Sequence, residues 1–279
     1  MSIKITTLIE NKKENCKFIN EFGLSFFIED KDKKIIFDTG KTGKFIKNSY
    51  ILGINLEQVR DVILSHNHYD HTGGLKKFTE KCNSKYTLHI NKNFFIKKHI
   101  ITNIIHKLLK NNFNEKFLLN KGVKIHFLEK NEYQLSENIV LFTNFKKLNN
   151  FEIPKFNCIE KLYSNYILNE MENEIVVGVN TQKGLTLICG CSHIGIINII
   201  ENIKQRTKIN IYGIIGGLHL KETRDENMDI ILKYFLENNI KFFRVSHCTG
   251  EKFVKRLDEI TNDSLYNFTG NEIVLNKKE

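Results

Sequence analysis

At 279 residues, 41% hydrophobic and 27% charged, the chain has the make-up of a globular protein that can bury a large core. It holds no run of about 18 apolar residues that would cross a membrane as a helix, and its opening MSIKITTLIENKKENC lacks the apolar run and cleavage site of a signal peptide. The net charge of +10 is dispersed, with no block of like charges, which argues against a nucleic-acid partner and suits a small anionic one.

The 6 cysteines are too few for a disulfide scaffold in a chain this long, so reduced thiols and a cytoplasmic setting are expected. β-rich runs open the chain at 4–10, 23–30 and 33–40, and a charged turn between the last two predicts a hairpin. Helical spacing follows over 41–52. VRDVILSH (59–66) reads as a short apolar strand, and GGLKKFTEK (73–81) as the start of a helix. The apolar spacing predicts a long helix over 93–110, then strands at 123–128 and 138–143. NEIVVGVNTQKGLTLICGC (173–191) is a hairpin turning at TQKG. Helix and strand then alternate: helices at 194–206, 224–238 and 250–261, strands at 209–217 and 240–247, and a last strand at 272–276. Strands early and βα units late suit sheets packed together with helices outside. A single proline, Pro154, and no Gly/Ser linker leave nothing to mark a boundary. One domain over 1–279 is therefore expected, with 92–175 as an insert covering the site.

Between those elements the chemistry is concentrated. LSHNHYDHTGG (64–74) places His66, His68, Asp70 and His71 within a few positions of a strand end. In extended chain, side chains at i and i+2 share a side, so His66 and His68 can converge on one cation. Asp70 and His71, just past them, can reach a second. Gly73 and Gly74 permit a tight bend. The segment is thus half of a two-metal site, which needs further ligands. Two places repeat the pattern of apolar strand, Ser-His and small residues: Cys191 with His193, and His247 with Cys248.

His-x-His-x-Asp-His after an apolar strand resembles the signature of the metallo-β-lactamase superfamily. IIFDTG (35–40) matches that superfamily's first motif. GCSHIGIIN (190–198), GGLHL (216–220) and HCTG (247–250) follow in the order of one branch, the dihydropteroate-synthase-like proteins. Many of these are named as a methanopterin-pathway ribofuranosylaminobenzene 5'-phosphate synthase. The resemblance runs from about Lys33 to Gly250 and is loose over 92–175. It implies a four-layer αββα sandwich and two divalent cations, zinc or else manganese or iron. It also implies Asp38 as a buttress of the metal loop, with His193 and His247 completing the ligands. One departure stands out. Where many relatives carry a bridging aspartate, this chain reads Gly190-Cys191-Ser192. Cys191 as a thiolate ligand, His193 in its place, or a bridging water are the alternatives, and a plain buried thiol is a fourth. A cysteine ligand would favour zinc.

The expected activity is metal-dependent hydrolysis of an ester, amide or phosphoester, with Asp70 orienting the nucleophile and His219 binding substrate or acting as an acid. Two other activities remain open: a synthase joining a pterin pyrophosphate to a ribofuranosylaminobenzene phosphate, and a nuclease. Cys189 is expected in the core. His89, His99, His106 and His126 are read as structural or surface residues, and Cys16, Cys82 and Cys158 show no metal spacing. Phe94, Phe95, Phe113, Phe117, Phe145, Phe151 and Phe156 either line a substrate wall or, more in keeping with their type, fill the core.

Overall fold

The computed structural model describes residues 2–31, 33–81, 85–95, 98–101, 106–109, 111–152, 158–162, 165–169, 174–261 and 263–278; the short strands at 98–101, 106–109, 158–162 and 165–169 are described as backbone alone. The first sheet is formed by β1 (Ser2–Ile9), β2 (Ser25–Asp30), β3 (Lys33–Phe37), β4 (Asp61–Ile63), β5 (Thr87–Asn91), β8 (Lys124–Leu128) and β18 (Glu272–Asn276). Their spatial order is β18-β1-β2-β3-β4-β5-β8. The second sheet is formed by β9 (Glu132–Ser136), β10 (Ile139–Phe142), β13 (Val176–Thr181), β14 (Gly184–Cys189), β15 (Ile211–Gly216), β16 (Phe242–Val245) and β17 (Ser264–Tyr266), in the order β17-β16-β15-β14-β13-β10-β9. A smaller sheet joins β6 (Lys98–Ile101), β7 (His106–Leu109), β11 (Cys158–Leu162) and β12 (Asn165–Asn169). The helices are α1 (Phe45–Ile51), α2 (Tyr69–Thr72), α3 (Leu75–Lys81), α4 (Glu115–Asn120), α5 (Ile196–Thr207), α6 (Asp225–Glu237) and α7 (Glu251–Ile260).

Strand alternation sorts the apolar side chains into three cores. Phe26, Ile28, Ile35 and Phe37 of the first sheet meet Val177, Ile188 and Ile215 of the second between the two sheets. Their strand neighbours Phe27 and Ile36 face the other way, onto Phe45, Leu75, Phe78 and Leu118 from α1, α3 and α4. On the far face of the second sheet, Leu185, Leu187, Cys189 and Ile214 pack on α5, α6 and α7 through Ile199, Ile231, Phe235 and Phe253. Three cores separate four layers, so the expected αββα sandwich is the observed one. Among the described residues no helix is long and apolar enough to cross a membrane.

The strands nearest the site run parallel: β3 beside β4, and β14 beside β15 beside β16. Parallel neighbours need a crossover, and helices supply it, so the carboxyl ends of each set share an edge.

The helix expected over 93–110 is not formed. Lys98–Ile101 and His106–Leu109 are antiparallel strands paired with each other. The run is dense in isoleucine, whose β-branch restricts χ1 in a helix and favours strands. Apolar spacing in short runs does not separate the two states. The described phenylalanines of this region pack into the cores, the second of the two expected readings. Phe94, Phe113, Phe95 and Phe117 belong to the core under the first sheet, and Phe145 and Phe151 to the core under the second. Phe156 lies outside the described residues, as do Cys82 and the side chains of His99, His106 and Cys158.

Candidate metal centre

Every predicted site residue lies just beyond the carboxyl end of a strand. Asp38 follows β3, and His66 and His68 lie on the loop after β4. Asp70 and His71 ride the single turn of α2. Cys191 and His193 follow β14, His219 follows β15, and His247 follows β16. The loop after β4 folds back tightly: a Cβ on Gly74 would stand 2.0 Å from the Thr39 carbonyl oxygen. Four residues of this edge hold left-handed backbone although none is glycine: Asp38 (φ 60°), Ser192 (φ 59°), His219 (φ 53°) and His247 (φ 58°). Such conformations cost about 1–3 kcal/mol each and persist where surrounding structure over-determines them.

The structure brings His66, His68 and His193 together, one donor atom from each within 4.8 Å of the others. Their ring centroids are 4.5, 4.6 and 4.7 Å apart. Asp70, His71 and His247 form a second triad on the same criterion. The triads touch, with the His66 and His71 rings 4.3 Å apart. Cys191 lies between them, grouped with His66 and His71 and with its Sγ 3.2 Å from His71 Nε2.

Hydrogen bonds behind the rings fix the tautomers. The buried Asp38 carboxylate accepts from the Ser65 N–H at 2.7 Å, the Ser65 hydroxyl at 2.6 Å and His71 Nδ1–H at 2.7 Å. Because the Ser65 hydroxyl proton goes to Asp38, Ser65 Oγ accepts from His66 Nδ1–H, 2.8 Å away. The Asn11 amide donates to the His247 carbonyl, so its oxygen faces His247 Nδ1–H at 3.0 Å and accepts from it. His66, His71 and His247 thus turn their Nδ1 protons outward and their Nε2 atoms, acceptors in the neutral rings, inward. Yet His71 Nε2 lies 3.2 Å from His247 Nε2, and His66 Nε2 lies 3.2 Å from His193 Nε2. Ring nitrogens that close share a proton or a cation between them. Two nitrogens at about 2.0–2.1 Å from one tetrahedral zinc stand about 3.3 Å apart. The donor set therefore fits a pair of transition-metal cations, and the protonated outer nitrogens are the usual arrangement behind such ligands.

The electrostatics agree. Burial works against a charge on His71, but the Asp38 and Asp70 carboxylates outweigh it and raise the ring to about 9. Burial pushes Asp70 up, and the facing rings of His71, His247 and His68 overcome that, holding it well below the usual carboxylate range. Burial lowers His247 and His219 and pushes the Cys191 thiol well up. The two carboxylates thus favour positive charge at His71, between the two triads.

His219 joins neither triad, but its ring centroid is 4.4 Å from that of His193. Cys189 is fully buried in the core, as expected. Three residues that steady the site had been missed: Ser65, Glu10 and Asn11. Glu10, at the end of β1, accepts from the His247 N–H at 2.7 Å. Ser65 precedes His66 and was readable as part of the loop. Nothing in the sequence near Glu10 or Asn11 signals a partner 236 residues away.

Comparison with known proteins bears on the family and the fold. A family profile for the metallo-beta-lactamase superfamily matches residues 20–103. The 7,8-dihydropterin-6-methyl-4-(beta-D-ribofuranosyl)-aminobenzene-5'-phosphate synthase of Methanocaldococcus jannaschii is 30% identical over 267 residues, covering 90% of this chain and 89% of that protein. A second, uncharacterized protein of the same organism is also 30% identical, covering 92% of this chain and 95% of its own. Among solved structures, Tm1679, a metal-dependent hydrolase of the beta-lactamase superfamily, superposes with a TM-score of 0.84 at 27% identity, over 97% of this chain and 98% of the other. A diphosphatase of the PhnP family shares the fold at a TM-score of 0.57 and 12% identity, over 99% of this chain and 98% of the other.

Proposed function

Since the chain belongs to the metallo-β-lactamase superfamily, we propose that it is a metal-dependent hydrolase acting on a small anionic ester, amide or phosphoester. The observation that carries this reading is the pair of touching donor triads with their Nε2 atoms turned inward. His66, His68 and His193 would hold one divalent cation, and Asp70, His71 and His247 the other, with Cys191 between them. Zinc matches the nitrogen and sulfur donors better than magnesium does. When bound, such a pair polarises a carbonyl or phosphoryl oxygen and acidifies water.

The protein's own residues supply the rest. Asp70 contributes a negative charge held firmly ionised by three imidazoles, and a carboxylate there can accept a hydrogen bond from an attacking water and orient it. His219, whose pKa burial lowers, stands beside the first triad, where its N–H can donate a hydrogen bond to a substrate oxygen. Asp38 and Ser65 fix the rings of His71 and His66, so no ligand has to reorganise during turnover. Of the span 92–175, β8, β9 and β10 belong to the two main sheets, and the described residues that reach the histidine loop are the ones suited to cover the site. Within that span the Phe94 carbonyl accepts from Asn67 at 2.6 Å, and the Asn112 amide donates to the Gly73 carbonyl at 2.7 Å, beside the histidine loop.

The test is turnover of an ester and phosphoester panel by protein of measured metal content, before and after chelation. Two equivalents of metal, activity lost on chelation and restored by zinc are expected. Full activity in metal-free protein would overturn the reading.

A second reading is favoured by the similarity to the pterin-pathway synthase. In it the same centre serves the departing pyrophosphate of a pterin substrate while an aminobenzene-type carbon or nitrogen attacks. Labelled oxygen from solvent separates the two, since hydrolysis places it in the product and coupling does not.

A further inference from the structure

Two of the sequence motifs, GGLHL and HCTG, meet at one sulfur. Cys248 follows His247 and is half-buried. Its Sγ lies 3.3 Å from Cys191 Sγ, and Cys191, His247 and Cys248 each place a donor atom within 4.8 Å of the others. The backbone N–H of His219 donates to Cys248 Sγ across 3.3 Å. A Cβ on Gly217 would stand 2.7 Å from the same sulfur, far inside van der Waals contact. Glycine at 217 thus admits both the Gly190 carbonyl oxygen, 2.3 Å from such a Cβ, and this thiol, and the His219 N–H holds the sulfur from behind, as outer hydrogen bonds orient metal ligands.

We infer that Cys248 is itself a metal ligand, its sulfur joining His247 and Cys191 on the cation side formed by Asp70, His71 and His247. This rests on the two-cation reading above and goes beyond it, because it makes one half of the centre sulfur-rich. Distance supports it. Two sulfurs at about 2.3 Å from one tetrahedral zinc stand about 3.8 Å apart, whereas a disulfide needs about 2.05 Å. The observed 3.3 Å is nearer the first. The donor chemistry follows: two sulfurs, two imidazoles and a carboxylate select zinc over hard cations such as magnesium or manganese.

The experiment is pulse alkylation of the full chain, zinc-loaded or stripped with a chelator, read residue by residue by mass spectrometry. Exposed Cys16 is the internal control. Zinc should slow labelling of Cys248 and Cys191 by about tenfold or more, since a metal-held sulfur is not a free nucleophile, while Cys16 reacts equally in both states. Cobalt substitution gives an independent reading: Cys248→Ser should keep two cobalt ions and lose roughly half of the sulfur-to-metal charge-transfer absorption seen with both sulfurs present. Two bound zinc ions with Cys248 labelled at an unchanged rate would overturn this inference and leave the two-cation reading standing. Failure of the chain to bind zinc at all would overturn both. A Cys191–Cys248 cross-linked peptide, lighter by two hydrogens, in freshly prepared reduced protein would also overturn it.

Discussion

His89 and His126 sit side by side in mid-sheet on β5 and β8, while His66, His68 and His71 lie past the end of β4, the neighbouring strand. Both groups cluster imidazoles beside a buried aspartate. In the mid-sheet group, His89 Nε2–H donates to Asp61 Oδ1 at 2.9 Å. Its Nδ1 pairs with His126 Nδ1 at 3.0 Å, one of the two donating, so each facing pair of atoms already shares a proton. At the strand ends the arrangement is inverted: hydrogen bonds behind the rings hold the Nδ1 protons, and the Nε2 atoms of His71 and His247 turn inward to within 3.2 Å of each other. Clustering histidine is therefore not what makes a metal site. What matters is where the second nitrogen of each ring spends its proton.

The sharpest way to break this contrast is to remove one histidine from each cluster. His71→Ala deletes a donor that faces Cys191, His247 and Asp70 at once. Metal affinity at that position should fall by more than about a hundredfold, beyond the cost of losing an outer partner, and turnover with it. His89→Gln should leave both metal affinity and turnover within about threefold, since its bonds are already satisfied within its own cluster. Metal titration by calorimetry on both variants checks this. Equal losses would mean that the mid-sheet histidines also serve the centre.

The outer shell comes next in size. Asp38→Asn keeps the shape but changes what the side chain can accept and donate. Three donors converge on this carboxylate, and an amide cannot receive all three without turning its NH2 toward one of them. The His71 tautomer is then no longer fixed, and affinity should drop by about ten- to a hundredfold. A variant that binds metal as tightly as the parent would show that the loop needs no carboxylate behind it.

The same distinction explains what could be read in the sequence. The His-x-His-x-Asp-His run was legible because its ligands are local. His193 and His247 were legible because each repeats a strand end followed by Ser-His. Asp38 was legible only beside the downstream cluster. Glu10 and Asn11 were not, because they reach His247 through the pairing of β1 with the rest of its sheet rather than through any nearby pattern. The hairpin of β13 and β14 followed from its TQKG turn, and the late βα units from their alternating pattern. The strands β5, β9 and β17, and the short α4, did not announce themselves. β17 is three residues long, and β9 is mostly exposed, so neither carries an apolar periodicity to detect. The region 93–110 was misread because its isoleucines fit helical spacing while favouring strands.

The smallest expected effect lies in the mid-sheet cluster and concerns pH. Asp61 is buried, which pushes its pKa up, but the hydrogen bond and charge of His89 and the charge of Lys33 pull it below its ordinary value. A carboxylate whose folded value is depressed stabilises the fold fully above its unfolded value, and that contribution is lost as pH falls through the folded one. Asp61→Asn keeps an acceptor oxygen for His89 and loses only the charge, so it should cost about 1 kcal/mol near neutrality. The gap between parent and variant should start to close below about pH 4 and vanish further down. Urea unfolding of both proteins across that range measures it, with metal-free samples so that the strand-end centre does not contribute. A gap that stays constant down to the most acid point would mean that Asp61 acts through packing rather than through its charge on His89.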